Sequence, residues 1–428
     1  MNIKRGIQKI KNIYHLWRAI WANVFFGFPS KKIIVIGVTG TNGKTTTVQM
    51  IGKMLEDTGK KVAVYSTINF KIGEEEWVNK TKFTTQSAWE LQQFIRKATK
   101  NDCEYLVLET SSHSLDQFRV WGVGYNIAVM TNITREHLDY HFTMEDYRKI
   151  KRKLFEITAK SQSEVEKIGV VNKDTEGFED FALEQFDKNY LYSFNEKIIN
   201  IENGNNLILQ EVQFENFKSV FKIKGIDFKL NIPGQFNIEN ALAAVCVGVS
   251  QEISLENISS SLEKIENIPG RMDFVKNEKG INAIVDYALT PDSMEKVGQM
   301  MKDFKTKKKA KLIWVFGSCG DRDRGKRPII GEIVSKFADS VIITNEDPYT
   351  EDPVRIIKEI ERGVKDKNKL LMIVDRKKAL EKAFEIAKRG DIVLVTGKGA
   401  EENMMIGSKK VPWNDKQVIR EILSYNKA

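Results

Sequence analysis

Ile33–Thr46 reads Ile-Ile-Val-Ile-Gly-Val-Thr-Gly-Thr-Asn-Gly-Lys-Thr-Thr, and this stretch decides the fold. Its first four residues are β-branched and predict a short buried strand, and helical periodicity follows the turn as far as about Leu55. Glycines in such a strand–loop–helix let backbone amides close around phosphate groups, and the helix N-terminus adds positive potential. The generic pattern has glycine where Val38 stands, so the loop is a variant form; the alternative is a tight turn with a chance lysine. The predicted phosphate-binding residues are Gly40, Thr41, Asn42, Gly43, Lys44, Thr45 and Thr46.

Apolar strands alternate with helical segments on the C-terminal side of this loop, which predicts a mostly parallel α/β sheet. Short alternating pieces between residues 190 and 232 predict antiparallel strands added at one edge. A boundary is expected near Ile268–Gly270, after which the α/β rhythm restarts as a second, Rossmann-like domain. The predicted strands are 62–65, 105–108, 127–130 and 169–171 in the first domain, and 283–285, 312–316, 340–343 and 392–395 in the second.

The fold class is therefore α/β, with a central phosphate-loop domain and a C-terminal α/β domain. The chain has 428 residues, a formal net charge of +9 and three widely spaced cysteines. The cysteine spacing fits neither a zinc site nor a disulfide framework, and a reducing cytoplasm is the simplest compartment. The positive charge indicates an anionic partner, and the lack of aromatic–basic or zinc-finger motifs argues against nucleic acid. The expected divisions are 1–30, 31–268 and 269–428.

The first 29 residues mix basic and apolar residues. They contain no run of about 18 apolar residues, which argues against a transmembrane helix, and no small-residue cleavage site, which argues against a signal peptide. The pattern predicts a basic amphipathic helix. Two interpretations stay open: the helix packs on the next domain, or it makes weak contact with a membrane surface.

Two polar clusters follow predicted strands, where parallel sheets place their ligands. Glu109 comes directly after the strand 105–108, and it is a candidate metal ligand rather than a surface carboxylate. His137 lies in the segment 131–141, which holds two of the four histidines of the chain. We expect His137 to bind a metal or to orient a ligand, against the alternative of a structural histidine.

A lysine falls on the apolar side of the helix that begins after Thr143. At 100° per residue, Lys151 points into the apolar sector of this helix. Burial favours a neutral amine, and a neutral amine reacts with CO₂ to give a carbamate, an anion that can hold a metal. A snorkelling lysine is the alternative. The apolar sector consists of Tyr147, Ile150, Leu154, Phe155 and Ile157.

These motifs, together with later ones, resemble the Mur ligase family and, within it, the muramyl-tripeptide synthetases, which add the third amino acid of the peptidoglycan stem. The resemblance runs from about residue 22 to residue 420. It implies an ATP- and Mg²⁺-dependent ligase that forms an acyl phosphate on an acceptor carboxylate, which an amino group then attacks. The segments that carry it are 40–46, 109–117, 132–141, 151–155, 234–240, 270–273, 286–292, 317–328 and 396–399.

The resemblance also implies roles for single residues. The catalytic residues would be Lys44, Glu109, His137, Lys151 (as a carbamate), Arg271 and Asp286. The metal ligands would be Thr45, Glu109, His137 and Lys151, and the adenine contacts would be Asn237 and Asn240. Arg271 and Asp286 would close on ATP. The acceptor contacts would be Thr84, Thr85, Ser112 and Arg119, and the other substrate contacts would be Asp321, Arg322, Asn345, Glu346, Asp347, Tyr349 and Lys398.

Simpler interpretations of the later motifs stay open: Asn237 and Asn240 as helix caps, 317–320 as a turn, and 321–326 as a solvated charge run. The family also carries an N-terminal domain that holds a uridine nucleotide, and here 1–30 resembles only its remnant. The acceptor is then a UDP-linked dipeptide, another carboxylate, or one presented by a partner chain; a non-catalytic nucleotide-binding subunit is a further alternative. Tyr349 stands where diaminopimelate enzymes carry arginine, which favours lysine-like or other amino acids.

Overall fold

The computed structural model describes residues 2–81, 83–162, 164–201, 206–215 and 217–424. Its contacts divide the chain into two compact units. The first unit consists of Met1–Thr134 and His141–Glu266, and the second of Arg135–Tyr140 and Asn267–Ala428. The short segment Arg135–Tyr140 thus belongs by its contacts to the second unit, although it lies within the predicted central domain 31–268.

The first unit contains α-helices, β-strands and two short 3-10 helices, at Pro29–Lys32 and Phe178–Asp180. Its α-helices are α1 (Asn2–Phe26), α2 (Lys44–Asp57), α3 (Ala88–Lys100), α4 (Ser112–Asp116), α5 (Leu138–His141, which crosses into the second unit), α6 (Met144–Ala159), α7 (Gln235–Ser250) and α8 (Leu255–Glu263). Its strands are β1 (Ile34–Thr39), β2 (Val62–Tyr65), β3 (Asn69–Ile72), β4 (Glu75–Val78), β5 (Tyr105–Glu109), β6 (Ile127–Met130), β7 (Ile168–Asn172), β8 (Lys188–Ser193), β9 (Ile198–Ile201), β10 (Leu207–Glu215), β11 (Lys218–Ile223) and β12 (Ile226–Leu230).

The described strands of the first unit form one sheet in the order β12-β11-β10-β9-β8-β7-β6-β1-β5-β2-β3-β4. The six neighbouring strands at the centre of this sheet, β8-β7-β6-β1-β5-β2, pair in parallel. The hairpin β3–β4 and the strands β9–β12 are antiparallel, so the predicted antiparallel edge is confirmed. Since β1 lies between β5 and β6, the loops after these three strands meet at one edge of the sheet.

The second unit is a separate α/β sheet, with a 3-10 helix at Lys367–Lys369. Its main sheet has the order β13-β14-β18-β15-β16-β17, parallel except for β13, and β19 and β20 form a separate hairpin. This arrangement confirms the α/β prediction for this part of the chain. The elements are β13 (Asp273–Val275), β14 (Asn282–Asp286), α9 (Pro291–Lys308), β15 (Leu312–Phe316), α10 (Lys326–Phe337), β16 (Ser340–Ile343), α11 (Pro353–Glu361), β17 (Leu370–Met372), α12 (Arg376–Ile386), β18 (Ile392–Thr396), β19 (Asn403–Ile406), β20 (Lys409–Pro412) and α13 (Asp415–Ser424).

Helix α6 brings Lys151 into the interior of the first unit. The Thr143 hydroxyl caps the helix by accepting from Asp146 N at 3.0 Å. Lys151 is 1% exposed, as the helical periodicity predicts. The expectation for Ile157 was wrong, because this residue is 37% exposed near the C-terminal end of the helix, where Thr158 is buried instead.

Helix α1 confirms the predicted N-terminal helix and packs on the first unit. Ala19 and Ala22 are buried in a small cluster with Ala88, and Asn23 Nδ2 donates to Trp121 O at 2.6 Å. Across the part of the chain that the structure describes, no helix combines the length and apolar character needed to span a membrane.

Candidate functional site

The phosphate-type loop joins β1 to α2 and depends on two glycines. Gly43 precedes α2 with φ 84°, in the left-handed region that disfavours a side chain. A Cβ on Gly43 would lie 2.2 Å from Asn240 Oδ1, and a Cβ on Gly40 would lie 1.9 Å from Thr131 Oγ1. Both positions therefore require glycine, and the amides at the start of α2 point out of a helix N-terminus.

The segment after β6 holds this loop through several hydrogen bonds. Thr41 N donates to Asn132 O at 2.8 Å, and Asn42 N donates to Asn132 Oδ1 at 2.9 Å. Thr131 Oγ1 donates to Asn42 O at 2.6 Å. The shape of the loop is thus stabilised by hydrogen bonds from the residues that follow β6, in addition to its own turn.

Two lysines meet at one oxygen of the loop. Lys44 Nζ donates to Gly40 O at 3.0 Å and to Thr41 O at 2.8 Å. Lys151 Nζ, buried above the ring of Tyr147 at 4.6 Å from its centroid, donates to the same Gly40 O at 2.6 Å. The structure therefore brings the predicted residues Lys44 and Lys151 together.

Glu109 ends β5 beside the loop and is 1% exposed. Its Oε2 accepts from Thr45 Oγ1 at 3.1 Å and from Thr67 N at 2.8 Å, and its Oε1 accepts from Thr67 Oγ1 at 2.9 Å. Thr45 and Thr46 are both buried in the first turn of α2. Glu109 is therefore a carboxylate in direct contact with the predicted metal-binding threonine.

These groups suit Mg²⁺, which prefers oxygen ligands and commonly keeps water and phosphate oxygens in its shell. Thr45 and Glu109 offer such oxygens at one point. The described residues contain no group of three or more His, Cys, Asp or Glu side chains placed to hold a metal. Lys151 donates a hydrogen bond as an amine, so it fits as a ligand only after conversion to a carbamate.

His137 lies in the segment that belongs to the second unit, with φ 56°. Its Nδ1 lies 3.9 Å from Glu136 Oε1, and its side chain is 44% exposed. The role of His137 toward a metal stays a prediction.

The predicted acceptor residues lie next to Glu109. Thr85 Oγ1 donates to Glu109 O at 3.0 Å, and Arg119 Nη1 donates to Thr85 O at 2.7 Å. Thr84 Oγ1 lies 3.1 Å from Thr67 Oγ1, which itself contacts the Glu109 carboxylate. Thr85 thus contacts this strand end directly, whereas Arg119 connects to it through Thr85 and Thr84 connects to it through Thr67.

The fourth predicted acceptor residue, Ser112, begins α4. Its Oγ lies 3.0 Å from His141 Nε2. Burial lowers the pKa of His141 to about 4, so the imidazole is neutral near pH 7. His141 is therefore a site residue in addition to those predicted from the sequence.

Asn240 lies against the loop and is not a helix cap. Its Oδ1 accepts from Thr47 Oγ1 at 3.3 Å, and its Nδ2 donates to Asn237 Oδ1 at 3.4 Å. Asn237 Nδ2 donates back to Pro233 O at 2.7 Å, while Gly234 is the residue that caps α7. Asn240 therefore contacts the start of α2, and Asn237 contacts Asn240.

Arg271 and Asp286 form a local cluster in the second unit. Asp286 accepts from Met272 N and Ala288 N, both at 2.8 Å. Burial raises the pKa of Asp286, against the opposing effect of Arg271. The Arg271 guanidinium lies over the ring of Tyr287, 4.4 Å from its centroid.

The predicted amino-acid segment places three carboxylates and one lysine close together. Lys398 Nζ, almost fully buried, lies 2.9 Å from Asp347 Oδ1 and 2.5 Å from Glu401 Oε2. Cys319 Sγ donates to Glu346 Oε1 at 2.9 Å. Glu346 Oε2 is buried with no hydrogen-bond donor among the described residues, and burial raises the pKa of Glu346.

Tyr349 and Arg322 lie at the edge of this cluster. The Arg322 guanidinium lies 5.9 Å from the centroid of the Tyr349 ring. Asp321 accepts from Thr350 Oγ1 at 2.8 Å, which ties the predicted 317–328 motif to the amino-acid segment. The interpretation of 321–326 as a wholly solvated charge run was wrong, because Lys326 is buried and donates to Leu289 O.

The backbone of Asn345 contacts a buried ion pair. Arg376 Nη1 donates to Asn345 O at 3.2 Å, and Arg376 Nη2 donates to Thr396 O at 3.0 Å. The same guanidinium makes two hydrogen bonds to Asp415, at 2.8 and 2.7 Å, and both side chains are at most 1% exposed. This pair fixes the backbone where the amino-acid segment begins.

Comparison with known proteins shows the family. Residues 38–248 match the Mur ligase middle domain, and residues 270–399 match the Mur ligase, glutamate ligase domain. The UDP-N-acetylmuramoyl-L-alanyl-D-glutamate–2,6-diaminopimelate ligase of Clostridium tetani is 37% identical over 95% of this chain and 80% of its own length. The UDP-N-acetylmuramyl-tripeptide synthetase of Roseiflexus is 36% identical over 94% of this chain and 81% of its own length.

Solved structures agree with this family. The structure of a UDP-N-acetylmuramoyl-L-alanyl-D-glutamate–2,6-diaminopimelate ligase is similar with a TM-score of 0.61 and 29% identity, covering 92% of this chain and 79% of its own. The folylpolyglutamate synthase of Mycobacterium tuberculosis shares the fold, with a TM-score of 0.68 at 16% identity over 89% of this chain and 92% of its own. The chain belongs to the Mur ligase family and is an ATP-dependent acid–amino-acid ligase whose relatives are of the tripeptide-synthetase type.

Proposed function

We propose that this chain joins an amino acid to the free carboxylate of a UDP-N-acetylmuramoyl dipeptide, by way of an acyl phosphate, in peptidoglycan precursor synthesis. The names of the relatives support this acceptor, since the C. tetani enzyme is named for that dipeptide. The alternatives are an acceptor held by another carrier and an acceptor presented by a partner chain.

One observation carries the proposal: Lys44 and Lys151 both donate to Gly40 O, beside the Thr45–Glu109 contact. Lys44 lies where a phosphate-loop lysine can move from the loop carbonyls to the terminal phosphates of ATP. There it would stabilise the charge that develops when the acceptor carboxylate attacks the γ-phosphorus. The amide ligase reaction then follows when the amino group attacks the acyl phosphate and inorganic phosphate leaves.

The same geometry supports a carbamate on Lys151. Two positive charges beside one carbonyl oxygen would repel each other, which favours a neutral Lys151 amine, the form that reacts with CO₂, and an anionic carbamate there would attract Lys44. The carbamate, Thr45 and Glu109, with His137 as the further predicted ligand, would hold Mg²⁺, which neutralises phosphate charge during transfer. Arg271 and Asp286 are proposed to contact ATP, as the family resemblance implies.

A product assay tests the acceptor. Purified chain, ATP and Mg²⁺ would be offered the UDP-linked dipeptide, the same dipeptide without UDP, or no acceptor, each with a panel of amino acids, and adducts would be identified by mass spectrometry. An adduct on the UDP-linked dipeptide is expected. An adduct only on the UDP-free acceptor would move the proposal to another carrier, and phosphate release that never depends on acceptor and amine would refute the ligase mechanism for this chain.

Matched lysine variants control that assay. Lys44→Met should abolish product because it removes the amine at the loop. Lys53→Met, at a half-buried position on the same helix in an ion pair with Asp57, should leave product formation intact. Equal activity in the two variants would contradict the role of Lys44.

The amino acid is proposed to lack a distal carboxylate. The Tyr349 hydroxyl cannot make the two parallel hydrogen bonds with which arginine binds a carboxylate. Nearby, the three acidic side chains of Glu346, Asp347 and Glu401 outnumber the one basic side chain, Lys398. Lysine-like substrates should therefore be preferred over diaminopimelate. Tyr349→Arg should shift the ratio of kcat/KM toward diaminopimelate by roughly tenfold or more, and an unchanged ratio would contradict this pocket assignment.

A further inference from the structure

Helix α1 exposes a continuous row of large apolar side chains. Seven of them are between 58% and 71% exposed. At 100° per residue they cover an arc of about 120° on one side of the helix. They are Ile10, Ile13, Tyr14, Trp17, Trp21, Val24 and Phe25, which we call the outer face of α1.

The opposite side of α1 is fixed to the first unit. Asn12 Nδ2 donates to Asp116 Oδ2 at 3.0 Å, and Asn23 Nδ2 donates to Trp121 O at 2.6 Å. At the C-terminal end of the helix, Phe26 O accepts from Arg96 Nη1 at 3.0 Å. The outer face is therefore held in a defined direction, away from the core that binds the helix.

Basic residues border the outer face, and the sequence of α1 contains no acidic residue. Residues 2–26 contain five Lys or Arg and no Asp or Glu. Lys11 and Arg18, seven residues apart, are exposed along one border of the outer face, and Lys31 and Lys32 are exposed just after the helix. A partner with negative charge at the level of the helix would match this arrangement.

Aromatic residues extend the outer face onto α3. The ring centroids of Phe25 and Trp89 lie 4.8 Å apart in a tilted arrangement, and those of Phe26 and Trp89 lie 4.9 Å apart edge to face. Trp89 is itself 41% exposed. Tryptophan and tyrosine favour the boundary between headgroups and acyl chains, because one part of the ring system is apolar and another is polar.

We propose that α1 is an interfacial membrane helix, which lies in the surface of an anionic bilayer with its outer face among the acyl chains and its basic border among the headgroups. Helices of this class combine a large apolar face, Lys and Arg on the polar side, and Trp or Phe on the apolar side. The helix lies on the bilayer and does not cross it, in agreement with the hydropathy of the described helices. The ATP-binding unit is thereby held at the membrane surface.

Binding to vesicles tests this inference with the full chain. Co-sedimentation would compare vesicles of phosphatidylcholine with vesicles of phosphatidylcholine and phosphatidylglycerol in equal parts. We expect binding to the mixed vesicles that weakens as salt is raised. The double variant Trp17→Ser/Trp21→Ser, and separately Lys11→Glu/Arg18→Glu, should each bind at least about tenfold more weakly.

A control pair removes exposed apolar side chains elsewhere. Ile208→Ser/Val411→Ser changes residues that are 53% and 39% exposed and should keep wild-type binding. As a second measurement, brominated lipids should quench the fluorescence of the wild-type chain and quench that of the Trp17→Ser/Trp21→Ser variant much less. Absence of binding to the mixed vesicles, or equal loss in the control pair, would overturn the proposal.

A second copy of the chain is the competing occupant. Sedimentation velocity over a range of concentrations separates the two. A monomer without lipid supports the membrane assignment. A dimer that the Trp17→Ser/Trp21→Ser variant abolishes would assign the outer face to self-association and would overturn it.

Discussion

Replacing Gly43 by alanine should damage the loop more than the same change at a second glycine of the first unit. Gly43 and Gly59 share φ +84°, so both pay the same left-handed backbone strain when a Cβ is added. The surroundings differ: a Cβ on Gly43 meets Asn240 Oδ1 at 2.2 Å, whereas nothing lies within 4 Å of a Cβ on Gly59. Gly59→Ala is therefore a matched control that isolates the strain.

The magnitudes follow from these contacts. Left-handed backbone costs an L-residue about 1–2 kcal/mol, and the reduced freedom of the unfolded chain offsets roughly 0.4–1 kcal/mol of this. Gly59→Ala should thus lower the free energy of unfolding by about 1 kcal/mol. Gly43→Ala must also displace Asn240 from its rotamer and from Thr47, which adds roughly 1–2 kcal/mol.

Denaturant unfolding followed by tryptophan fluorescence measures both changes, because Trp17, Trp21, Trp77, Trp89 and Trp121 lie in the first unit. In a chain that also carries Asn240→Ala, Gly43→Ala should no longer cause the steric part of its destabilisation. The coupling energy between the two substitutions should then be about 1–2 kcal/mol. ATP affinity should fall in Gly43→Ala and stay unchanged in Gly59→Ala. Equal destabilisation by the two alanines, or no coupling to Asn240, would refute the close-contact argument.

Three further outcomes are expected. Lys151→Ala should lower kcat roughly 10²–10³-fold, and added acetate should restore part of it; full activity in this variant would remove the carbamate hypothesis. Arg376→Met should lower the free energy of unfolding by about 3–5 kcal/mol, because Asp415 is left charged and buried, and Asp415→Leu in the same chain should recover part of that loss. Glu359 has a pKa lowered from 4.5 to about 2, chiefly by its hydrogen bond to Arg324. Its stabilising effect is therefore present above pH 4.5 and is lost as pH falls toward 2. Glu359→Gln should accordingly be less stable than wild type near pH 7, with the gap closing in acid; a gap that persists at low pH would contradict the assignment.

The sequence predicts the parts of the fold that have a local signal. The buried strands β1, β5 and β6 are continuous apolar runs, and the loop Gly40–Thr46 carries its own glycine spacing. Lys151 was predicted to be buried because its neighbours on α6 repeat with helical period. Ile157 was wrongly predicted to share this buried side, because at 100° per residue it lies at the margin of the apolar sector, whereas the buried Thr158 lies near its centre.

The parts of the site that could not be predicted from the sequence are contacts between residues far apart in the chain. Thr67 makes two hydrogen bonds to Glu109 although 42 residues separate them. Its position just after β2, next to β5 in the sheet, was the signal that could have identified it. The Cys319–Glu346 hydrogen bond and the His141–Ser112 contact have no period or motif of their own, so only the folded arrangement reveals them.

Gly40 O accepts from two lysines at once, and this has a consequence for how events at the two lysines affect each other. If CO₂ converts Lys151 into a carbamate, the group beside this oxygen becomes an anion; if ATP draws Lys44 to its phosphates, the oxygen loses the Lys44 donor. Two ligands that act on one shared acceptor are linked, and the factor by which dissolved CO₂ changes ATP affinity must equal the factor by which ATP changes CO₂ affinity. Carbamate formation on Lys151 and ATP binding at Lys44 would then be thermodynamically coupled through this loop.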